Sequence, residues 1–241
     1  MRIGFSTGCL YGSVKDINSN EVVNFIANIS KDVIEISCLD ISALNGIKLI
    51  KPEILNQFSF KSFHAPAIGF EYKNNKETKS LFKEITSLHI KHNFDIVVIH
   101  PDKITDLDLV SKYLGKLPLA IENMNSAKRT GRNIEELSQI LEKYEFKVLL
   151  DLLHIHSVDT TMHLVKDIEE KYKDRISAIH LSGEDMMREG RGVHLPLYLT
   201  KQVKIVEAIP SKNLPVIIES PVNSLEKLRL EYEYIKRLTG C

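Results

Sequence analysis

The sequence predicts an α/β protein that forms a single (β/α)8 TIM barrel over residues 1–241. Three observations predict this fold. The length of 241 residues is close to the roughly 250 of a one-domain barrel. Eight short apolar runs recur along the chain, and segments with the apolar spacing of helices separate them. No long linker interrupts the alternation, and alternating strands and helices form parallel sheets.

The eight apolar runs all have the length of strands. In chain order they cover residues 3–6, 33–36, 60–64, 96–100, 119–122, 148–151, 176–181 and 216–219. Eight such units favour closure into a barrel over an open sheet. A dinucleotide-binding fold is disfavoured because the first run is not followed by G-x-G-x-x-G; residues 7–12 contain only Gly8 and Gly12.

Helical spacing and capping residues predict the intervening helices. Apolar residues three and four apart mark three of them: Val22, Phe25, Ile26 and Ile29; Leu137, Ile140, Leu141 and Tyr144; Leu225, Leu228, Tyr232 and Ile235. Helix starts are expected at Asn20, at residues 159–161 and at Ser224. The longest irregular stretch is residues 182–196, a natural place in a barrel for a loop that faces the substrate.

Composition and charge disfavour membrane, secreted and DNA-binding proteins. No run of about 18 apolar residues could span a bilayer, and residues 1–20 lack a secretory signal, so we expect a cytoplasmic protein without membrane partners. The 32 basic and 32 acidic residues give zero net charge, which disfavours duplex DNA as a partner. Three scattered cysteines, Cys9, Cys38 and Cys241, predict reduced thiols rather than disulfides.

Six consecutive predicted strands, the third to the eighth, end in a residue of a metal-binding type. These residues are His64, His100, Glu122, Asp151, His180 and Glu219. Side chains two apart on a strand point the same way, so the residues beneath them would also face the barrel interior. Those residues are Ser62, Val98, Ala120, Leu149, Ala178 and Ile217. The six polar side chains would then crowd one cavity at the C-terminal mouth.

This crowding predicts divalent metal ions. Three carboxylates would repel one another unless cations lay among them, and imidazoles nearby would supply nitrogen ligands. A mixed nitrogen and oxygen shell suits Zn or Mn, with Fe and Co as alternatives, better than Mg or Ca. His154, three residues past Asp151, and His194, in the loop after the seventh strand, are predicted as further ligands.

The remaining titratable residues of interest receive weaker expectations. Glu35 has inward parity on the second strand, which leaves open a supporting role, a substrate role or a buried ion pair. His156 is expected to support the ligands or to be exposed. Three histidines in helical segments are expected at the surface: His89, His92 and His163.

The strand-end motifs resemble the xylose isomerase-like superfamily, which includes AP endonuclease family 2 (endonuclease IV-like) and sugar phosphate isomerases and epimerases. The resemblance covers nearly the whole chain and rests on FHAP at 63–66, VIHP at 98–101, IEN at 121–123, DLLH at 151–154, IHL at 179–181 and IE at 218–219. It implies a four-ligand single-metal set as in the sugar isomerases: Glu122, Asp151, His180 and Glu219. The endonuclease IV type holds three metals with four additional histidines, which His64, His100, His154 and His194 match.

The chain departs from the endonuclease IV pattern at two positions. Gly192 stands where that pattern has an Asp, two residues before His194, so Asp185 and Glu189 are candidates for the missing carboxylate. In an alternative alignment, residues 190–192 match the G-x-G turn of sugar epimerases, which would leave His194 outside the site. Ala67 replaces the aromatic residue that wedges into DNA, which again disfavours duplex DNA.

Two enzyme hypotheses follow. The first is a hydrolase of a phosphodiester or phosphoester in a small or medium-sized substrate, in which Glu122 bridges two metals about 3.5–4 Å apart. The loop after strand five would bind the phosphate, unless it is only a solvated basic loop, through Lys128, Arg129 and Arg132. The alternative is a single-metal sugar or sugar-phosphate isomerase or epimerase, with Glu122 and Glu219 as the ligand and proton-transfer pair. An iron-dependent oxidation and a non-catalytic binding protein also stay open, and the oligomeric state is unknown.

Overall fold

A closed barrel of parallel strands forms the centre of the protein. The computed structural model describes residues 1–187 and 192–240, and within them the strands are β1 (Ile3–Ser6), β2 (Val33–Ser37), β3 (Phe60–His64), β4 (Ile96–Ile99), β5 (Leu119–Glu122), β6 (Lys147–Asp151), β7 (Ile176–Leu181), β8 (Gly183–Glu184), β9 (His194–Leu195) and β10 (Val216–Ile218). The barrel order is β1–β10–β7–β6–β5–β4–β3–β2, and β8 and β9 pair as a separate antiparallel hairpin. The predicted (β/α)8 fold is confirmed.

Helices follow the barrel strands along the described chain. They are α1 (Asn20–Ala27), α2 (Leu44–Leu49), α3 (Pro52–Leu55), α4 (Lys76–His92), α5 (Leu107–Leu114), α6 (Ile134–Leu141), α7 (Leu152–Val158), α8 (His163–Tyr172), α9 (Leu197–Thr200), α10 (Val203–Glu207) and α11 (Leu225–Thr239). In the part of the chain that the structure describes, no helix is long and apolar enough to cross a membrane.

The barrel interior is filled by a separate apolar cluster. Its members are Val33, Phe60, Ile96, Val98, Ala120, Leu149, Ala178 and Ile217, all at most 8% exposed. Five of these were predicted to lie beneath the strand-end polar residues, which confirms the inward parity. The sixth predicted residue, Ser62, is also fully buried. The polar strand ends therefore stand on an apolar floor.

The predicted helix starts are partly wrong. Ser19, not Asn20, caps α1, because its hydroxyl accepts the Val22 N–H at 3.2 Å. Ser224 caps α11 as predicted, by accepting the Lys227 N–H at 3.2 Å. The predicted start at residues 159–161 is too early. Residues 152–158 already form α7, and α8 begins only at 163, after this helix has ended.

One helical histidine lies deeper than predicted. His92 was expected at the surface but is 1% exposed, because the last turn of α4 packs against Phe94 at a ring distance of 5.6 Å. His163 is exposed as expected. Cys9 and Cys38 are free and buried, whereas Cys241 lies outside the described residues. Burial, with a smaller effect of the Asp40 charge, raises the pKa of Cys38 to about 12.

Candidate metal centre

The barrel places the strand-end polar residues at its C-terminal mouth. His64, Glu122 and Asp151 are the last residues of β3, β5 and β6. His100 and Glu219 directly follow β4 and β10, and His180 is the last but one residue of β7. Parallel strands in a barrel end at the same rim, so residues far apart in the sequence become neighbours.

The ligand-type residues form three clusters that share members. Within each cluster, one nitrogen or oxygen atom per residue lies within 4.8 Å of the others. The first cluster is His64, His100 and Glu122; the second is Glu122, Asp151, His180 and Glu219; the third is Asp151, His154 and His194. Two ligands bonded to one ion at 2.0–2.2 Å are at most about 4.4 Å apart. Each cluster is thus close to the size that one ion requires.

Glu122 lies between the first and second clusters, and its two oxygens face different imidazoles. Oε2 is 3.2 Å from His64 Nε2 and 3.1 Å from His100 Nε2. Oε1 is 3.6 Å from His180 Nδ1 and 3.2 Å from His154 Nδ1. One carboxylate therefore serves two clusters, with an oxygen toward each.

Buried atoms without a hydrogen bond support a cation in the second cluster. Asp151 Oδ2 and His180 Nδ1 are buried and have no hydrogen-bond partner among the described residues. His180 Nδ1 lies 4.0 Å from Asp151 Oδ2 and 3.0 Å from Glu219 Oε2. Unpaired buried polar atoms are costly, and a cation among these three residues would bind all of them. This donor set fits a divalent ion.

Most of the imidazoles are held in one orientation through their second nitrogen. In four of five, this nitrogen has a partner outside the clusters: His64 Nδ1 with Ala65 O at 2.9 Å, His154 Nδ1 with Asn123 O at 2.8 Å, His180 Nε2 with Glu35 Oε2 at 3.1 Å and His194 Nδ1 with Ser182 Oγ at 2.8 Å. Metal-binding histidines are commonly fixed in this way, because the bond selects the tautomer that leaves the other nitrogen for the ion.

Glu35 supports His180 from beneath. Its carboxylate is fully buried, and Oε2 accepts hydrogen bonds from Ser62 Oγ at 2.8 Å and from His180 Nε2. The bond to His180 directs the opposite ring nitrogen, Nδ1, toward the second cluster. Of the roles that the sequence left open for Glu35, this arrangement matches both the supporting role and the buried ion pair.

Asn123 and α7 position Asp151 and His154. The Asn123 amide donates to Asp151 O at 2.9 Å and accepts the Asp151 N–H at 2.7 Å. Asp151 also caps α7, because its Oδ1 accepts the His154 N–H at 2.8 Å. Residues three apart on a helix share a face, so this cap brings the two side chains together. The sequence had predicted no helix start here before residues 159–161, and Asn123 had no assigned role.

Imidazolium protons balance the negative charge of the clusters. Burial alone would lower the pKa of His64, but the hydrogen bond to Glu122 and the surrounding carboxylate charges raise it to about 9. Burial would also lower the pKa of His154, and Asp151 and Glu122 raise it to about 9. Burial acts to raise the pKa of Glu219, but His180 lowers it to about 2. Metal ions compete with these protons for the same atoms.

Comparisons with solved structures find the same barrel fold in other proteins. A D-tagatose 3-epimerase-like protein superposes with a TM-score of 0.71 at 15% identity, over 100% of this chain and 97% of that one. A xylose isomerase domain containing protein from Salmonella typhimurium gives 0.66 at 14% identity, over 100% and 97%. The chain has the xylose isomerase-like barrel fold. Endonuclease IV from Thermus thermophilus gives 0.70 at 15% identity, over 100% and 99%.

Comparison of the sequence alone finds no family for the chain. No protein-family model matches the chain, and no curated protein matches it. The TM-scores of 0.66–0.71 establish the fold. Because the identities are only 14–15%, the reaction has to be inferred from the site.

The carboxylate of the third cluster is not one of the two candidates that the sequence suggested, Asp185 and Glu189. Among the described residues, the cluster takes this group from Asp151. Asp185 instead accepts the Met187 N–H at 3.0 Å, and Glu189 lies outside the described residues, as do residues 190 and 191 of the alternative alignment. The His194 ring is 5.6 Å from that of His154. His194 therefore stands at the site, and its role as a ligand stays a prediction.

The basic loop after β5 approaches the first cluster through Asp102. Lys128 Nζ lies 3.6 Å from Asp102 Oδ2, and Lys103 Nζ, which the sequence did not single out, lies 3.7 Å from the same oxygen. Asp102 Oδ1 is in turn 3.8 Å from His100 Nδ1. Arg129 is exposed, and the Arg132 guanidinium binds Glu136, with Nε at 3.1 Å from Oε1. Phosphate binding by these residues stays a prediction.

His156 and Glu184 form a buried pair beside the third cluster. His156 Nδ1 lies 2.6 Å from Glu184 Oε2, and the two residues are 8% and 6% exposed. Glu184 pairs with His194 across the β8–β9 hairpin. The sequence could not identify this pair, because Glu184 lies in a segment without strand periodicity.

Proposed function

We propose that the protein is a metal-dependent hydrolase of a phosphodiester or phosphoester in a small or medium-sized substrate. The bridging position of Glu122 carries this proposal: one oxygen faces His64 and His100 of the first cluster and the other faces His180 of the second. Enzymes that cleave phosphoesters commonly use two ions about 3.5–4 Å apart. A single-metal reaction would leave the first cluster without a purpose.

The three clusters assign the residues that would hold the ions. His64, His100 and Glu122 would hold one, and Asp151, His180 and Glu219, with Glu122, would hold another. His154 and His194 would hold a third ion with Asp151. The mixture of imidazole and carboxylate favours Zn or Mn. When bound, such ions neutralise phosphoryl charge and activate water at neutral pH.

The protein itself supplies binding and orientation. Glu35, Asn123 and Ala65 hold the ligands through hydrogen bonds, so little reorganisation is needed when substrate binds. Lys128 and Lys103 would bind the phosphate beside the first cluster. The zero net charge and Ala67 favour a substrate smaller than duplex DNA.

Metal analysis and two variants test the proposal. Protein purified without chelator should contain at least two divalent ions per chain and should cleave bis(p-nitrophenyl) phosphate. His64→Ala or His100→Ala removes ligands worth several kcal/mol of transition-state stabilisation, which predicts at least about a 100-fold loss of kcat/KM. His163→Ala, an exposed histidine on α8, is the control.

Less than one ion per chain, together with full activity of both cluster variants, would refute the hydrolase. An abasic-site duplex is tested in parallel. Cleavage of this duplex in preference to small diesters would contradict the proposed substrate size.

A sugar or sugar-phosphate isomerase or epimerase is the second candidate. It is favoured by the second cluster, which alone supplies four ligands. The side chain of Glu219 is 17% exposed, against 2% or less for the other three members, so it is the best placed for proton transfer. Solvent deuterium incorporated next to the carbonyl of a ketose, unaffected by His64→Ala, would favour this reaction over hydrolysis.

A further inference from the structure

Glu231 is a buried carboxylate that none of the three clusters includes. It lies on the core-facing side of α11 between Leu228 and Ile235 and is 0% exposed. A buried charge is expensive unless hydrogen bonds satisfy it. Glu231 accepts three of them, from Leu197 N at 2.8 Å, Tyr198 N at 3.0 Å and Ser220 Oγ at 2.5 Å.

Two of these bonds cap the short helix α9. The first N–H groups of a helix have no partner within it. Pro196 occupies the N-cap position and offers no side-chain hydrogen bond there. Glu231, 34 residues away from Leu197 in the sequence, accepts the N–H groups that a local cap would bind. The start of α9 is therefore fixed to α11.

The three bonds connect two loops that carry cluster residues. Leu197 follows His194 by three residues, across Leu195 and Pro196. Ser220 is the residue immediately after Glu219. A single carboxylate thus joins the segment that bears His194 of the third cluster to the segment that bears Glu219 of the second. The first cluster lies on β3, β4 and β5, which Glu231 does not contact through hydrogen bonds.

We infer that Glu231 is a positioning residue that sets the separation of Glu219 and His194, and so tunes ion binding at the second and third clusters but not at the first. This inference rests on the proposed function only in that the clusters hold ions. The hydrogen bonds from Glu231 to Leu197, Tyr198 and Ser220, called the tie below, do not depend on ions, and hydrogen exchange measures them directly.

Glu231→Gln tests the tie with little change of shape. The amide keeps one acceptor oxygen and replaces the other with a donor, so at least one N–H of α9 loses its partner. Amide hydrogen exchange at Leu197 or Tyr198 should become faster by about 5-fold or more, since about 1 kcal/mol or more of local stability is lost. Unchanged exchange at both amides would overturn the inference.

Ion binding is measured by titrating the chelator-treated protein with Zn²⁺ or Co²⁺. Altered supporting residues typically cost 10–100-fold in metal affinity. Glu231→Gln should therefore weaken two binding events by about this factor and leave one unchanged. Combining Glu231→Gln with His64→Ala identifies the unchanged binding event. If that event belongs to the first cluster, the double variant lacks it.

Two further variants separate positioning from stability. Ile235→Ala, one turn along α11, removes core packing and should lower the melting temperature without changing any metal affinity. Ser220→Ala removes only the hydroxyl bonded to Glu231 and should weaken the second cluster alone. Equal weakening of all three clusters by Glu231→Gln, or a matching effect of Ile235→Ala, would overturn the inference. If the wild-type protein binds no ion, the proposed function fails, whereas hydrogen exchange still tests the tie.

Discussion

Replacing Glu35 with Gln should weaken ion binding at the second cluster about tenfold. Glu35 does not face the cluster but accepts the Nε2–H of His180 at 3.1 Å, and both side chains are 0% exposed. The Gln amide oxygen can accept the same bond, so the ring orientation is kept. The substitution therefore removes the charge of the acceptor and leaves its shape.

The size of the effect follows from the loss of charge. A hydrogen bond to a charged group contributes about 1.5–3 kcal/mol and a neutral one about 0.5–1.5 kcal/mol. The difference of about 1.5 kcal/mol corresponds to roughly a factor of ten in affinity. It arises because a neutral acceptor makes the imidazole a weaker base toward the ion.

The assay is a competition for Zn²⁺ between the protein and a chromophoric chelator. Burial lowers the pKa of His180, but the charges of Glu219 and Glu35 raise it well above its usual value, so both proteins are compared at about pH 9, where protons compete less than at neutral pH. Glu136→Gln, which alters the partner of Arg132 outside the clusters, serves as the control. An affinity of Glu35→Gln equal to that of the wild type would show that Glu35 does not support an ion-binding histidine.

Three further predictions concern stability and the first cluster. Chelation should lower the melting temperature by about 5–10 °C if ions at 100 times their Kd contribute about 2.7 kcal/mol; no shift in differential scanning fluorimetry contradicts this. Burial lowers the pKa of His92 to about 4, so its contribution to stability is complete above pH 6.5 and is lost as the pH falls toward 4. His92→Leu should remove roughly 2 kcal/mol of the acid destabilisation between pH 8 and pH 5, and urea unfolding that shows the same pH dependence for both proteins would disprove it. Asp102→Asn should weaken ion binding at the first cluster only, by about tenfold, because the buried Asp102 Oδ1 faces His100 Nδ1 and would orient this ring. A zinc titration identical to that of the wild type would show that Asp102 does not support His100.

The fold could be predicted from periodicity alone. Each apolar run became a barrel strand with ends displaced by at most one residue, because a strand of a parallel barrel is buried on both faces and must be apolar. Helix starts were less predictable. Both Ser19 and Asn20 can cap a helix, and the choice between them depends on the direction in which the chain leaves the barrel.

The grouping of the polar residues could also be predicted, because strand parity and a shared rim leave few other arrangements. The eight predicted ligands all belong to the three clusters. What the sequence could not supply were partners brought in by tertiary packing. Strand parity pointed to Glu35 but not to its bond with His180, 145 positions away. No local pattern distinguishes Glu231, which binds Leu197 34 positions away, from other helical acids.

Helix α7 shows how a local pattern can also be hidden. Residues 152–158 contain no polar face, since both histidines in this helix are buried. The amphipathic spacing that marks most helices is therefore missing, and the sequence predicted a helix start in this region only at residues 159–161. This helix turns His154 toward Asp151, so its omission concealed the reason for their proximity.

The apolar layer beneath the strand ends gives the centre a single entrance. Aliphatic and aromatic side chains fill the barrel from Val33 to Ile217, so the clusters are reached from the C-terminal mouth. For the proposed enzyme, substrate and product would share this entrance, so the product would have to leave before the next substrate binds. Product inhibition that is competitive with the substrate is the kinetic pattern expected for a site with one entrance.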